Sequence, residues 1–211
     1  MDLLRNTIQP YAWGSRRAIA ELCGRPTPSE APEAELWMGA HPSAPSRIVS
    51  GTQEQSLIEL IASEPGSVLG EPVLSRFGPR LPFLFKVLAA ETPLSLQAHP
   101  NLEQARAGYA AEEARGVPHD APERNYKDPN HKPELLCALD EFHALVGFRS
   151  VPDTVRLLRK LELERLAPLL ALLDAEPNAS GLRKFFETLM TSPAEFRGEL
   201  AAATLSACRS Q

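Results

Sequence analysis

The sequence predicts a mainly β module followed by a helical module. Up to about residue 150, proline and glycine are frequent and the apolar runs are short, which is typical of strands separated by turns. Beyond that point, apolar residues recur at helical spacing after capping signals. A chain of 211 residues is long enough for one or two domains with a hydrophobic core. We therefore divide it into residues 1–150 and 151–211, the latter being the start of a helical domain.

Short apolar runs in the first module predict β-strands at Leu81–Leu88, Leu94–His99, Leu135–Leu139 and Ala144–Phe148. A long polar stretch, Gly108–Asn130, separates the second run from the third. Loops of that length are uncommon in compact domains, so we expect this stretch to have a function or to contain a short helix.

Capping residues predict the helices of the second module. Ser150 precedes apolar residues at helical spacing, and Leu166–Leu173 forms a second helical segment with a proline near its start. Ser180 is placed to cap a third helix. Ser192, followed by Pro193 and by a glutamate three residues after the serine, is the clearest helix start in the chain.

The charge balance excludes several classes of partner. Lys and Arg number 22 against 27 Asp and Glu, a net charge of −5, and there is no basic run. The sequence therefore predicts binding neither to nucleic acid nor to an anionic membrane surface. No apolar stretch approaches the roughly 18 residues that a membrane span needs, and the polar N-terminus has no signal-peptide core.

The three cysteines, Cys23, Cys137 and Cys208, are far apart and form no C-x-x-C pair. This pattern predicts free thiols in a reducing compartment rather than a disulfide framework. We expect a cytoplasmic protein.

Polar and apolar residues alternate in the segment Leu94–Pro100. On a strand, Ser95, Gln97 and His99 would share one face, with neighbours about 7 Å apart, and a Q-x-H pair can chelate a metal ion. Taken alone, the pattern fits a polar strand face turned to water better than it fits a metal site.

The segment Tyr126–Glu134 contains a turn, Asp-Pro-Asn, followed by Lys132 and Glu134 two residues apart. Glu134 could be a carboxylate ligand, and Lys132 could hold a sugar oxygen or a phosphate. Taken alone, this segment is a solvated turn that leads into a strand. Two further segments, Tyr11–Ser15 and Glu35–Pro42, contain the only tryptophans, Trp13 and Trp37, which in isolation are more typical of core aromatics beside turns.

Taken together, these segments resemble the type I mannose-6-phosphate isomerase family. Tyr126–Glu134 fills every specified position of the family signature Y-x-D-x-N-H-K-P-E. Leu81–Leu88 followed by Pro93–Pro100 resembles the strand pair before it. Tyr11–Ser15, Glu35–Pro42 and Leu145–Arg149 resemble the flanking motifs, in the expected order. The resemblance covers about residues 6–150 and is weaker beyond them, where it fits the start of an inserted helical domain.

The resemblance implies a cupin-type jelly-roll β-barrel that holds one zinc ion and interconverts mannose 6-phosphate and fructose 6-phosphate, which supplies mannose for GDP-mannose synthesis. It implies Gln97, His99 and Glu134 as zinc ligands and Lys132 as a catalytic residue that contacts the substrate. It further implies that a sugar phosphate is bound by Trp13, Glu35, Lys86 and Ser95. Aldose–ketose exchange passes through an enediol, whose developing charge a divalent cation stabilises.

The sequence departs from the family in length, because family members are nearly twice as long. Their fourth zinc ligand is a histidine in a later motif, and no histidine follows His143 here. We therefore expect a fragment of the enzyme with an incomplete barrel, low stability and little isomerase activity. The alternative is a non-catalytic, cupin-like module that binds metal or sugar phosphate. An iron-dependent cupin oxygenase is disfavoured, because such sites present H-x-H where this chain has Gln97.

Overall fold

The structure is a computed structural model that describes residues 3–210. The chain forms two compact units, Met1–Glu134 and Leu135–Gln211. The first contains all the strands of the described residues and five helices, and the second contains helices alone. The strands thus lie only in the first unit, where helices nevertheless occupy more residues than strands do, and the predicted division at residue 150 stays a prediction.

Six short strands form two antiparallel sheets in the first unit. The strands are β1 (Leu3–Arg5), β2 (Thr7–Gln9), β3 (Glu35–Gly39), β4 (Arg47–Ser50), β5 (Gln53–Ser56) and β6 (Leu84–Leu88). One sheet has the order β1-β4-β5 and the other β2-β3-β6. The fully buried Ser46 ties them together, because its hydroxyl donates to Asn6 Oδ1 at 2.8 Å and accepts from the Gly39 N–H at 2.9 Å.

The helices of the first unit are α1 (Ala18–Leu22), α2 (Leu57–Ser63), α3 (Pro65–Leu69), α4 (Glu71–Phe77) and α5 (Leu102–Ala114). Helix α5 begins with a capping box, in which Asn101 Oδ1 accepts from the Gln104 N–H at 2.9 Å and Gln104 Oε1 accepts from the Asn101 N–H at 3.0 Å. The long polar stretch Gly108–Asn130 therefore contains the second half of a helix, as we expected of it.

The second unit contains α6 (Val151–Lys160), a 3₁₀ turn (Glu164–Leu166), α7 (Ala167–Ala175), α8 (Ala179–Thr191) and α9 (Ala194–Arg209). Its core is a cluster of buried apolar side chains to which every one of these elements contributes. The buried members are Val151, Leu166, Leu169, Leu170, Leu173, Phe185 and Leu200. Packing of apolar helix faces against one another accounts for this unit.

The helix predictions hold for α6 and α7 and need correction at two starts. Ser150 caps α6, and its hydroxyl accepts from the Asp153 N–H at 3.3 Å. The prediction that Ser180 caps the third helix is wrong, because Asn178 occupies the cap of α8. The prediction that Ser192 caps the last helix is also wrong. Ser192 ends α8, and Pro193 stands directly before α9.

The strand predictions hold only for Leu81–Leu88, of which Leu84–Leu88 forms β6. The predicted strands at Leu94–His99, Leu135–Leu139 and Ala144–Phe148 are wrong, since the backbone there is irregular. A strand needs a neighbouring backbone to complete its hydrogen bonds, and within residues 3–210 no segment pairs with these three. Their apolar side chains stay exposed, Leu135 at 99% and Val146 at 92%.

None of the helices in the described range is both long and apolar enough to cross a membrane. The three cysteines are exposed free thiols.

Candidate metal centre

His99 and Glu134 lie side by side, although 34 residues separate them in the sequence. His99 Nδ1 is 3.9 Å from Glu134 Oε2. Two ligand atoms bound to one tetrahedral zinc ion lie about 3.3 Å apart, given bond lengths of roughly 2.0–2.1 Å. The two side chains therefore need only a small adjustment to hold one ion. Gln97, the third predicted ligand, is exposed in the irregular segment that also contains His99.

His99 and Glu134 alone are too few ligands to hold a metal ion. Over residues 3–210, no group of three or more His, Cys, Asp or Glu side chains gathers in a way that could hold a metal ion. A site built on His99 and Glu134 therefore needs other donors, and the amide oxygen of Gln97 is of the right kind. One imidazole, one carboxylate and one neutral amide would leave a bound dication with a net positive charge.

The turn before Glu134 is held together by Asp128. Its Oδ1 accepts from the Asn130 N–H at 2.8 Å and from Asn130 Nδ2 at 2.9 Å, while its Oδ2 accepts from Lys132 Nζ at 2.6 Å. Desolvation raises the pKa of Asp128, but the hydrogen bonds from Lys132 and Asn130 outweigh it, and the net pKa is lowered. The Lys132 ammonium is therefore held against a carboxylate that stays ionised.

A buried glutamate joins β3 to β6. Glu35 is 6% exposed, and its Oε1 accepts from Lys86 Nζ at 3.2 Å. Its Oε2 accepts from Trp37 Nε1 at 2.6 Å. The strand register explains the cluster, because Trp37 pairs directly with Lys86 and Glu35 lies two residues before Trp37, on the same face of β3. The indole of Trp37 thus orients the predicted substrate contact Glu35, a role that the sequence did not reveal.

His41 is a second residue that the sequence analysis did not include in the site. Its ring lies edge-on to the Trp37 ring, with the centroids 4.7 Å apart. Desolvation lowers the pKa of His41, the Asp128 carboxylate opposes this shift, and the Lys132 ammonium adds to it. His41 therefore lies within the electrostatic reach of the Asp128–Lys132 pair, and it connects that pair to the β3 cluster. A lone histidine between Ala40 and Pro42 gives no sequence signal of this kind.

Trp13 and Ser95 border the irregular segment that leads to His99. The Trp13 ring stacks on Tyr11 at 5.7 Å, and its carbonyl accepts from the Glu91 N–H at 2.9 Å. Ser95 is exposed in the same segment as Gln97 and His99. Gly14 permits the close approach of backbones here, since a Cβ on it would lie 2.5 Å from the Ala34 nitrogen.

The geometry defines a class of site: a histidine–glutamate pair suited to a divalent cation, with two lysines held by carboxylates nearby in the same compact unit. Comparison with known proteins identifies the family. The sequence model of the phosphomannose isomerase type I catalytic domain matches residues 1–151. The chain belongs to the type I phosphomannose isomerase family, as the sequence motifs indicated.

Relatives and solved structures agree with this assignment. Mannose-6-phosphate isomerase from Escherichia coli (strain K12) is 46% identical over 212 residues, which cover 100% of this chain and 54% of the relative. The enzyme from Homo sapiens is 40% identical over 162 residues, covering 73% of this chain and 36% of the relative. A crystal structure of the Salmonella typhimurium enzyme bound to fructose 6-phosphate and zinc matches with a TM-score of 0.88 and 46% identity, covering 100% of this chain and 53% of that one. The chain thus spans about half the length of its bacterial relatives.

Proposed function

We propose that this chain contributes zinc ligands and substrate contacts to an isomerase that interconverts mannose 6-phosphate and fructose 6-phosphate. The observation that carries the proposal is the meeting of His99 and Glu134 just after the turn that contains Lys132. The family assignment supports it, and so do the zinc and fructose 6-phosphate bound to the Salmonella relative.

The residues that would hold the zinc ion are Gln97, His99 and Glu134. Their oxygen and nitrogen donors are of types that zinc accepts, and they leave the ion with a positive charge. A zinc ion bound there would stabilise the negative charge that develops on the sugar oxygen as the substrate passes through an enediol. The donor types and the 3.9 Å separation of His99 and Glu134 support this assignment.

The substrate contacts would come from side chains that are already oriented. Lys86 is fixed by the buried Glu35, so its ammonium is placed to receive an anionic or hydroxyl oxygen. Lys132 can exchange its exposed partner Asp128 for a sugar or phosphate oxygen and act as the catalytic lysine. Trp13 offers an aromatic face to the sugar ring, and Ser95 offers a hydroxyl.

The fold and setting of this function are also proposals. We assign residues 1–150 to a cupin-type jelly-roll barrel, to which the two antiparallel sheets would belong, and residues 151–211 to the start of a helical domain. The three exposed thiols fit a reducing compartment, and we place the protein in the cytoplasm. Its sugar phosphate product would feed GDP-mannose synthesis.

The test measures zinc affinity of the 211-residue chain by competition with a chromophoric chelator, and conversion of mannose 6-phosphate by a coupled assay. His99→Ala and Glu134→Ala should each weaken zinc binding at least about tenfold. His143→Ala and Glu141→Ala are matched controls, because they form an exposed His–Glu pair at 3.2 Å outside the predicted site. The controls should bind zinc like the parent chain.

The outcomes separate the candidate functions. Zinc affinity that survives both His99→Ala and Glu134→Ala would refute the metal centre. Turnover of mannose 6-phosphate would favour the isomerase over the non-catalytic binding module, whereas binding without turnover is expected of both the module and an incomplete enzyme.

A further inference from the structure

A buried glutamate on α5 holds the backbone where the Tyr126–Glu134 segment begins. Glu112 is 3% exposed, and its Oε2 accepts from the Tyr126 N–H at 2.8 Å. Its Oε1 accepts from the Asn125 N–H at 3.1 Å. A carboxylate that receives two backbone N–H groups out of water makes strong, charge-assisted bonds. One bond thus holds the first residue of the segment, and the other holds the residue directly before it.

A buried arginine completes the attachment from the other side. The Arg124 side chain is 0% exposed, and its guanidinium donates to the Val117 carbonyl at 2.5 Å, to the Tyr126 carbonyl at 2.9 Å and to Glu113 Oε1 at 2.6 Å. It also lies 5.1 Å from the centre of the Tyr109 ring. The chain from Val117 to Tyr126 is thereby fastened to α5.

A glycine on α5 accommodates the side chain of Tyr126. A Cβ added to Gly108 would lie 2.4–2.6 Å from three carbons of the Tyr126 ring. A glycine inside a helix normally weakens the helix, so its presence here is explained by this close approach. Glu112, Arg124 and Gly108 together form what we call the α5 clamp, and Tyr126 is the residue that all three contact.

We propose that the α5 clamp positions the zinc ligand Glu134 and the catalytic Lys132, so that Glu112, Arg124 and Gly108 are positioning residues for the metal centre. The inference rests on the proposed function. Tyr126 is the clamped end of a nine-residue segment whose other end, Glu134, meets His99. The Asp128 turn shortens the span between them by closing residues 128–132.

The alternative tether of the segment is weaker. Arg80 Nη1 donates to Asn130 Oδ1 at 3.1 Å, but this bond is exposed to water, where its net contribution is small. Buried and fully paired groups hold a backbone position more firmly than exposed ones do. Loosening the clamp should therefore let the segment shift and separate Glu134 from His99.

Two substitutions test the clamp from independent sides. Glu112→Gln keeps the side-chain volume but turns one acceptor into an amide donor facing a backbone N–H. Gly108→Ala favours the helix by its intrinsic propensity yet displaces the Tyr126 ring, so it separates helix stability from positioning. Each variant of the 211-residue chain should bind zinc about tenfold more weakly than the parent, as loss of outer-shell support does elsewhere.

Glu33→Gln is the matched control. Glu33 is also buried and receives Arg25 through two bonds of 2.7 and 2.6 Å, but unlike the bonds of Glu112 neither of these involves the Tyr126–Glu134 segment. Zinc affinity is measured by chelator competition at a temperature well below unfolding, and the unfolding midpoint is measured for each variant. Glu33→Gln should lower the midpoint and leave zinc affinity unchanged.

Each outcome decides between the inference and the proposed function. If the parent binds zinc and His99→Ala abolishes binding, but Glu112→Gln and Gly108→Ala bind zinc normally, the positioning role is refuted while the metal centre stands. Equal losses of zinc affinity in Glu33→Gln and Glu112→Gln would show general loosening and would also refute it. A parent chain that binds no zinc refutes both. If Glu112→Gln fails to fold, Gly108→Ala and Arg124→Lys decide the question by the same measurement.

Discussion

Lys132 shows how one residue combines a weak structural role with a strong proposed role. Its side chain is 53% exposed, and its bond to Asp128 is an exposed ion pair of the kind that adds little to stability. Such a pair can open at low cost when a phosphate or a sugar oxygen competes for the ammonium. Removing the same side chain would weaken substrate binding, because a charge-assisted hydrogen bond to the substrate would be lost.

We therefore expect Lys132→Ala in a full-length version of the enzyme to weaken binding and turnover of mannose 6-phosphate by at least about tenfold, the cost of one charge-assisted bond. The unfolding midpoint should change little. Calorimetric titration of the zinc-loaded full-length version with mannose 6-phosphate, a turnover assay and a thermal scan provide the three readouts. Lys127→Ala, in the same segment, serves as the control. Equal loss of stability and function, or loss of neither, would argue against a direct role.

The sequence predicted some site residues and could not predict others. Gln97, His99 and Glu134 were predicted from the resemblance of their motifs to a known family, since each pattern alone fits a solvated segment better, and the structure brings the last two together. Trp37 and His41 carry no such signal, because their roles depend on the β3–β6 register and on what folds against them. Contacts between distant segments follow from tertiary structure, which no local pattern encodes.

At the scale of the element, the helices of the second unit were predicted better than the strands, whereas α1 to α4 of the first unit were not predicted. A helix satisfies its backbone groups internally, so a local cap and an apolar period suffice to indicate it. A strand depends on a neighbour, and neither the alternating segment Leu94–His99 nor the apolar run Ala144–Phe148 has a pairing partner within residues 3–210. Even helix ends were uncertain by one or two residues, since Asn178 and not Ser180 caps α8.

The cap of α8 gives a test at this scale. Asn178 Oδ1 accepts from the Ser180 N–H at 2.8 Å and the Gly181 N–H at 3.2 Å. Asn178→Ala should lower the free energy of unfolding by about 1 kcal/mol, the usual cost of losing a cap. Ser192→Ala should cost less than about 0.5 kcal/mol, because Ser192 lies at a helix end where its exposed hydroxyl only donates back to the Thr188 carbonyl. Urea unfolding followed by circular dichroism measures both, and a larger loss at Ser192 would contradict the structure.

The attachment of α5 to Tyr126 predicts a dependence on pH. The hydrogen bond from the Tyr126 N–H lowers the pKa of Glu112, and this effect outweighs desolvation. A lowered pKa stabilises the fold above the ordinary carboxyl value of about 4.3, and this stabilisation is lost as the pH falls through the folded value. We expect Glu112→Gln to be less stable than the parent at neutral pH and the difference to shrink in acid. Urea unfolding of both proteins at a series of pH values from neutral to acid measures this difference in the free energy of unfolding. A difference that does not depend on pH would contradict the lowered pKa of Glu112.

At the scale of the whole molecule, the two compact units differ in what they expose and in what they contain. The second unit has its own apolar core, and it also carries the exposed apolar segment that includes Leu135 and Val146. Exposed apolar residues of this density mark a surface that is prone to association. The first unit contains every residue of the candidate metal centre and both tryptophans, Trp13 and Trp37.

This distribution lets zinc binding be followed in one unit at a time. A ligand that binds only the folded state stabilises it by RT ln(1 + [L]/Kd), about 2.7 kcal/mol at a hundredfold excess over Kd. Zinc should therefore raise the unfolding midpoint seen by tryptophan fluorescence, which reports on the first unit alone.

Hydrogen exchange of the α7 and α8 amides, which lie in the second unit, should be unchanged, because the predicted ligands all belong to the first unit. A chelator should reverse the shift, and Glu134→Ala should abolish it. Slower exchange in α7 and α8 on adding zinc would show that the two units unfold as one cooperative body.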